Sequence, residues 1–178
     1  MKIIDFPEVR QSRNYTCGVA CLQALLYFYG ISYREDELEH LLGTTPQRGT
    51  SPSQIIQLCQ QFGFHVQTKQ HMTLEDIRFH LNHNQPILVV YQAWRNTQNP
   101  SDYQNDWSDG HYSIIVGLDH DRLIMNDPAL IGRGYLPINE FMTRWHDSDA
   151  DGHLYVRYGL VLMGRTIKYR PQIIHRIL

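Results

Sequence analysis

Gln11-Ser-Arg-Asn-Tyr-Thr-Cys17-Gly18-Val-Ala-Cys21-Leu22 sets a thiol at the junction between a polar loop and an apolar helix. A thiol attacks as its thiolate, and a helix N-terminus together with a nearby imidazolium stabilises that charge near neutral pH. An imidazole and an acid follow downstream, in Gly110-His111-Tyr-Ser-Ile-Ile-Val-Gly117 and in Asn126-Asp127-Pro128. One opens an apolar strand and the other closes the next. In this arrangement Cys17 is the candidate nucleophile, His111 the base and Asp127 the acid that orients the ring. Gln11, six residues before Cys17, brings a side-chain amide toward the oxyanion of an attacked carbonyl, beside the Cys17 backbone N–H.

At these residues the chain resembles the C39 family of peptidases, papain-like cysteine proteases best known as the leader-peptide-cleaving domains of bacteriocin exporters. Gln11, Cys17, His111 and Asp127 fall on that family's oxyanion glutamine, nucleophile, general base and orienting acid, with six residues from Gln to Cys and sixteen from His to Asp. The resemblance runs over residues 6–163 in element order and is motif-specific around Cys17 and across residues 111–128. It implies an α+β, papain-like fold, a peptide or protein substrate, no cofactor, and hydrolysis through a Cys17 thioester. Papain-type enzymes can also use an amide as third member, which makes Asn126 a competitor. Neighbouring strand residues face opposite ways, so only one of the two serves, and the sixteen-residue spacing selects Asp127. Thr16 departs from the exporter domains, which carry an acid before the nucleophile; this bears on substrate preference more than on chemistry. Taken as far as specificity, the resemblance implies a cleft for small residues, since those domains cut after paired glycines. Two other readings stay open. The thioester can pass to an amine acceptor, as in papain-like transpeptidases and phytochelatin synthases, or the fold can bind a peptide without cutting it.

The chain has 178 residues, 42% of them hydrophobic, enough for one domain with a substantial core, expected over residues 1–164 with a basic extension at 165–178. A net charge of -2 gives no electrostatic argument for nucleic acid or an anionic membrane. No stretch approaches the roughly 20 apolar residues of a membrane span, and the start lacks the apolar core of a secretory signal. The expected location is therefore cytoplasmic, and the resemblance points to a free-standing member without the transporter. Three cysteines, Cys17, Cys21 and Cys59, do not describe a disulfide framework.

Along the chain, residues 1–6 read as extended and residues 7–16 as a polar loop. A central helix begins near Cys17, with apolar residues over most of its circumference, and Gly30 stops it. Ser32-x-x-Glu35, Ser51-Pro52 and Thr73-x-x-Asp76 announce three more helices, with a strand at 65–68 before the last. After Pro86 the pattern changes to short apolar runs at 87–91, 112–117, 123–125 and 154–163, rich in β-branched and aromatic residues. The expectation is a helical half carrying the thiol, packed on a mainly antiparallel sheet carrying the base, with the cleft between them.

Residues 93–109, holding Trp94, Tyr103 and Trp107, are too long for an ordinary hairpin and read either as a lid or substrate wall, or as a loop its tryptophans pin to the domain. Cys21, one turn after Cys17, reads as a small core residue rather than a redox or metal partner, and Cys59 likewise. Asp147-Ser-Asp149-Ala-Asp151-Gly152 matches the opening of a calcium loop, but its twelfth position is Tyr158, so it reads as a solvated acidic turn, flanked by exposed His146 and His153. The tail carries five basic residues or histidines and no acid, and reads as a terminal extension whose isoleucines pack on a surface.

Overall fold

Apolar residues on every face make the first helix a core element. The structure, a computed structural model, describes residues 2–95 and 99–173. In chain order it contains β1 (Lys2–Ile3), α1 (Cys17–Phe28), α2 (Glu35–Leu42), α3 (Pro52–Gln61), β2 (His65–Lys69), α4 (Leu74–Asn82) and β3 (Ile87–Gln92). A 3-10 turn (Pro100–Tyr103) and β4 (Gly110–Leu118) follow, then β5 (Arg122–Asn126), β6 (Arg133–Pro137), α5 (Ile138–Arg144), β7 (His146–Ser148), β8 (Leu154–Val156) and β9 (Gly159–Met163). Nine of the twelve residues of α1 are buried, among them Leu22, Leu25 and Leu26. The helix ends where the Tyr29 and Gly30 N–H groups turn back to Leu26 and Tyr27, and Gly30 adopts a φ of +80° that a side chain would resist.

Local signals set the other helix starts. Ser51 Oγ accepts from the Gln54 N–H while the Gln54 side chain accepts from the Ser51 N–H at 2.7 Å, with Pro52 in the first turn. Thr73 and Asp76 make the same reciprocal pair. For α2 the expected cap moves: Arg34, not Ser32, is the cap residue, and Glu37 closes the start by accepting from the Arg34 N–H at 2.8 Å. A hydroxyl two residues further out cannot reach the free N–H groups.

The main sheet is antiparallel, in the order β2-β9-β3-β4-β5-β6. β3 pairs with β4 from Gln92↔Gly110 to Ile87↔Ile115, and β1 continues beside β4 at Gly117 and Leu118. This is the expected α+β arrangement. The single run expected over 154–163 divides, because Arg157 takes a left-handed φ of 47° and its N–H leaves the ladder for the Trp145 carbonyl. Residues before it pair with β7 in a second, two-stranded sheet; residues after it form β9. β6 and α5 were not expected; β6 gains its place by pairing along the whole of β5. Buried Phe141 of α5 and Trp145 stack at 4.7 Å, and the Trp145 indole donates to the Tyr158 carbonyl at 3.0 Å.

The tail turns back on the domain as far as it is described. Lys168 and Tyr169 N–H groups donate to the Phe28 carbonyl, and Arg165 donates to the Phe62 carbonyl. Ile173 is half exposed; the remaining tail residues, Ile174 to Leu178, lie outside the described residues.

Leu22 is fully buried at the centre of α1. Truncating it to alanine should lower the free energy of unfolding by about 2–5 kcal/mol. Urea melts would check this; a loss well under 1 kcal/mol would remove α1 from the centre of the core.

Candidate functional site

Strand pairing dictates which side chains converge. Tyr91 and His111 are direct partners across β3 and β4, and Ser113 lies two residues on, so the three share a face. Ile114, on the opposite face, is the partner of Asn126. The residue after Asn126 therefore returns to the face of His111. The hydrogen bonds agree: Asn126 donates to the Pro7 carbonyl at 3.2 Å, whereas Asp127 Oδ1 and Oδ2 lie 3.0 and 3.1 Å from His111 Nε2.

Asp127 and His111 are both buried, and the carboxylate is enclosed by donors. Ser113 Oγ donates to Oδ2 at 2.7 Å, the Tyr91 hydroxyl to the same oxygen at 3.0 Å, and the Ala129 N–H to Oδ1 at 2.8 Å. Burial alone would raise the Asp127 pKa, but the ring and these donors hold it below the usual carboxylate value. Burial likewise opposes a charge on His111, yet the hydrogen bonds to Asp127 and Cys17 prevail and raise its pKa to about 9. At neutral pH the ring keeps both protons. Nε2–H serves the acid, which leaves Nδ1 for the sulfur. Sequence reasoning missed Tyr91 and Ser113; the signal was a hydroxyl at every second position facing the base, visible only once β3 and β4 are in register.

Cys17 is the first residue of α1 and is half-buried. Thr16 does not cap the helix: its hydroxyl donates to the Arg13 carbonyl at 3.0 Å and accepts from the Arg13 N–H. The N–H groups of the first turn thus stay free of a side-chain cap, and no acid lies in that turn, so the positive end of the helix dipole acts on the thiol. Thr16 is fully buried, where an acid would be desolvated beside the sulfur.

Gln11 lies on the loop before α1. Its backbone N–H donates to the Pro128 carbonyl at 2.9 Å, tying this loop to the end of β5 that carries Asp127. Its amide donates to the Arg13 carbonyl at 2.8 Å, and Oε1 is buried without a partner among the described residues. One N–H of that amide remains available. Gly18, the next residue of α1, is kept small by its neighbours. A Cβ there would come within 3.1 Å of both the Thr50 side chain and the Tyr112 ring, so its smallness serves packing. Cys21 is buried with its pKa pushed well up by burial, and Cys59 is pushed up to about 12 by the same cause; all three thiols are free.

A cavity of about 320 Å³ opens at Cys17, bounded among others by Gly110, Tyr112, Trp107, Asp147 and Tyr155. The long loop contributes in two ways. Trp107 and Ser108 wall this cavity, and Trp94, at a φ of +64°, stands edge-on to His111 with ring centres 6.1 Å apart. It is also pinned: Tyr103 donates to the Arg95 carbonyl and lies under the Arg144 guanidinium.

The segment expected as a solvated acidic turn divides in its chemistry. Asp149 is the turn residue, accepting from the Asp151 and His153 N–H groups and the Tyr155 hydroxyl. Asp147 instead sits in β7 with its carboxylate against Gly110, where a Cβ would come within 2.5 Å of both oxygens. Gln92 donates to it at 2.9 Å. Burial, with Asp149 and Asp106 nearby, raises its pKa to about 6. His146, expected exposed, is buried; its Nε2 meets the Asp106 carbonyl at 2.7 Å under the Trp107 ring. Among the described residues no group of three or more His, Cys, Asp or Glu is placed to hold a metal ion, and no helix is long and apolar enough to cross a membrane.

Residues 5–148 match the profile of the Peptidase C39 family. The chain belongs to this family. An uncharacterized protein of Methanothermobacter thermautotrophicus is 30% identical over 122 residues, 68% of this chain and 71% of that protein. Among solved structures, the peptidase domain of Streptococcus ComA, a bifunctional ABC transporter of a quorum-sensing pathway, superposes with a TM-score of 0.60 at 20% identity, over 87% of this chain and 96% of that one. A C39-like peptidase from Bacillus anthracis gives 0.68 at 14% identity, over 93% and 99%. The double-glycine-motif protease of an AMS/PCAT transporter, solved with a leader peptide, gives 0.62 at 14% identity, over 90% and 93%. The C39 domain thus has the papain-like fold of these peptidases.

Two expectations follow for the charges. The His111 pKa is raised above its unfolded value of about 6.5, so the stabilisation it brings is complete below that pH and is lost as pH passes through about 9. The wild type should therefore lose on the order of 3 kcal/mol between pH 6 and 10, read by urea melts, and Asp127→Asn should flatten that profile. A ring pKa near 9 in Asp127→Asn, read by NMR, would contradict the assignment. Asp147 has the opposite sign: its ionised form is disfavoured in the fold, so stability falls as pH rises through about 6. Asp147→Asn should raise the melting temperature at pH 8 and leave it unchanged at pH 4; an equal rise at both would refute burial of an ionised carboxylate.

Proposed function

We propose that the protein is a thiol protease, hydrolysing a peptide bond through a thioester on Cys17. The observation that carries this reading is a buried imidazole held by a carboxylate with three further donors, with a free thiol at the first residue of a helix acting on the same ring. The Cys17 thiolate attacks the scissile carbonyl, and the carbonyl π pair moves to oxygen. That oxyanion is met by the Cys17 N–H and the remaining Gln11 amide N–H, at a helix end free of a capping side chain. His111 then gives its Nδ1 proton to the departing amine as the C–N bond breaks. Water, deprotonated by the same nitrogen, attacks the thioester and releases the acid and the thiol. Asp127 holds the ring in place throughout. The C39 family and the leader-peptide complex of one structural neighbour favour a peptide or protein as substrate. Three free thiols suit a reducing compartment such as the cytoplasm.

The test is iodoacetamide labelling read per cysteine by mass spectrometry from about pH 5 to 9. Cys17 should be alkylated at least about tenfold faster than Cys21 and Cys59, and should lose that advantage in His111→Ala. Three equally slow cysteines would sink the proposal. Against a substrate found by peptide-library screening, Cys17→Ala should abolish cleavage, and Gln11→Ala should lower kcat by about 10²–10³-fold.

A further inference from the structure

The cavity at the nucleophile contains a carboxylate that the chemistry above does not use. Asp147 lines the same space as Cys17 and lies against Gly110, the neighbour of His111. Its acceptor capacity is only partly filled. Gln92 donates to Oδ1, the Ser148 N–H donates as well, and among the described residues no cation pairs with it. Two carboxylate oxygens accept about four hydrogen bonds, so roughly half of that capacity is left without a protein donor. The other charges around the cavity are engaged: Asp149 accepts from its own turn, and Arg48 is held by Asp151 at 2.6 Å.

We propose that Asp147 is the specificity-determining residue of this cavity, selecting substrates with a lysine or arginine side chain next to the scissile bond, in place of the small residues that the resemblance to the exporter domains implies. The inference rests on the peptidase reading. A cavity of about 320 Å³ is large enough for one long side chain, at the lower end of the roughly 300–1,000 Å³ of ligand sites. Its walls suit that guest. Val90 and the Tyr112 and Tyr155 rings offer apolar surface to a methylene stem, and the carboxylate meets the charged head. Gly110 is the residue that leaves Asp147 this position, because any Cβ would displace both oxygens. An unpaired, largely desolvated carboxylate disfavours the free protein and favours a cationic guest, so the same residue that weakens the fold discriminates among substrates. Norleucine, which matches lysine without the ammonium, would leave the carboxylate desolvated and unpaired.

N-acetylated dipeptidyl acyloxymethyl ketones alkylate an active thiol with loss of the acyloxy group, and the acetyl cap leaves the side chain as the sole cation. Probes with lysine or norleucine at the first or second position from the ketone would be compared by their rates of Cys17 labelling. The expected result is a lysine-to-norleucine ratio of about ten or more at one position, falling below about two in Asp147→Asn and persisting in Asp147→Glu. Because the ratio is taken within each protein, a general loss of reactivity does not enter it. Equal rates in the wild type, or a preference that survives in Asp147→Asn, overturn the inference while fast labelling leaves the peptidase reading standing. If Cys17 labels with neither the ketones nor iodoacetamide, that reading fails instead. The subsite is then judged on Cys17→Ala by calorimetric titration with the corresponding peptide amides, where tighter binding of the lysine peptide supports it and equal binding overturns it.

Discussion

The site is organised around the buried contact between His111 and Asp127, because a charged pair at that depth survives only if each remaining lone pair has a donor. Ser113, Tyr91 and the Ala129 N–H supply those donors to Asp127. Each comes from a different piece of chain, so the carboxylate joins β3, β4 and the turn after β5 at one point. Removing any of these donors would leave an acceptor poorly satisfied where water cannot replace it. The fold and the proposed chemistry therefore share one constraint: the register that pairs Tyr91 with His111 and Ile114 with Asn126 also brings Asp127 to the ring.

The thiol side is built by omission. A helix start usually acquires a Ser, Thr, Asp or Asn that accepts from its first N–H groups, and α3 and α4 follow that rule with Ser51 and Thr73. At α1 a threonine is present but its hydroxyl turns back to Arg13, so the free N–H groups are not consumed. The local cost in helix stability is offset by an apolar helix buried on nearly all sides. Gln11 is attached to the same frame through the Pro128 carbonyl, so the amide and the acid are positioned by one loop contact.

Local rules explain what the amino-acid sequence made legible. The central helix, the caps at Ser51 and Thr73, the stop at Gly30 and the alternating strands of the second half are nearest-neighbour effects. The selection of Asp127 over Asn126 came from the resemblance, whose His-to-Asp spacing it matches; side-chain alternation showed only that one of the two could serve. Features set by distant pairing were not legible. β6 exists because β5 offers it an edge, and Arg157 divides an apolar run because Trp145 takes its N–H. The role of Thr16 depended on a hydroxyl rotamer. Asp147 looked like the first acid of a solvated turn; only the return of β7 to Gly110 and Gln92 separates it from Asp149, two residues away.

Two carboxylates flank the segment 110–111, Asp127 buried and Asp147 partly buried, and their pKa values move in opposite directions. Burial raises both. Asp127 is brought below the usual range because an imidazolium and three donors meet it, whereas Asp147, with two amide donors and two acidic neighbours, rises to about 6. The separation divides the labour. A carboxylate already neutralised by the protein can orient a proton carrier but has little left to offer a ligand. One that the protein leaves unpaired cannot hold the ring in place, yet gains most from a cation arriving with a substrate. Gly110 stands between these environments, with His111 following it in the chain and Asp147 against its Cα. A side chain at that position would press on the Asp147 carboxylate while leaving the His111–Asp127 pair across the strand intact. The proposed recognition and the proposed catalysis therefore meet at one residue but depend on different atoms.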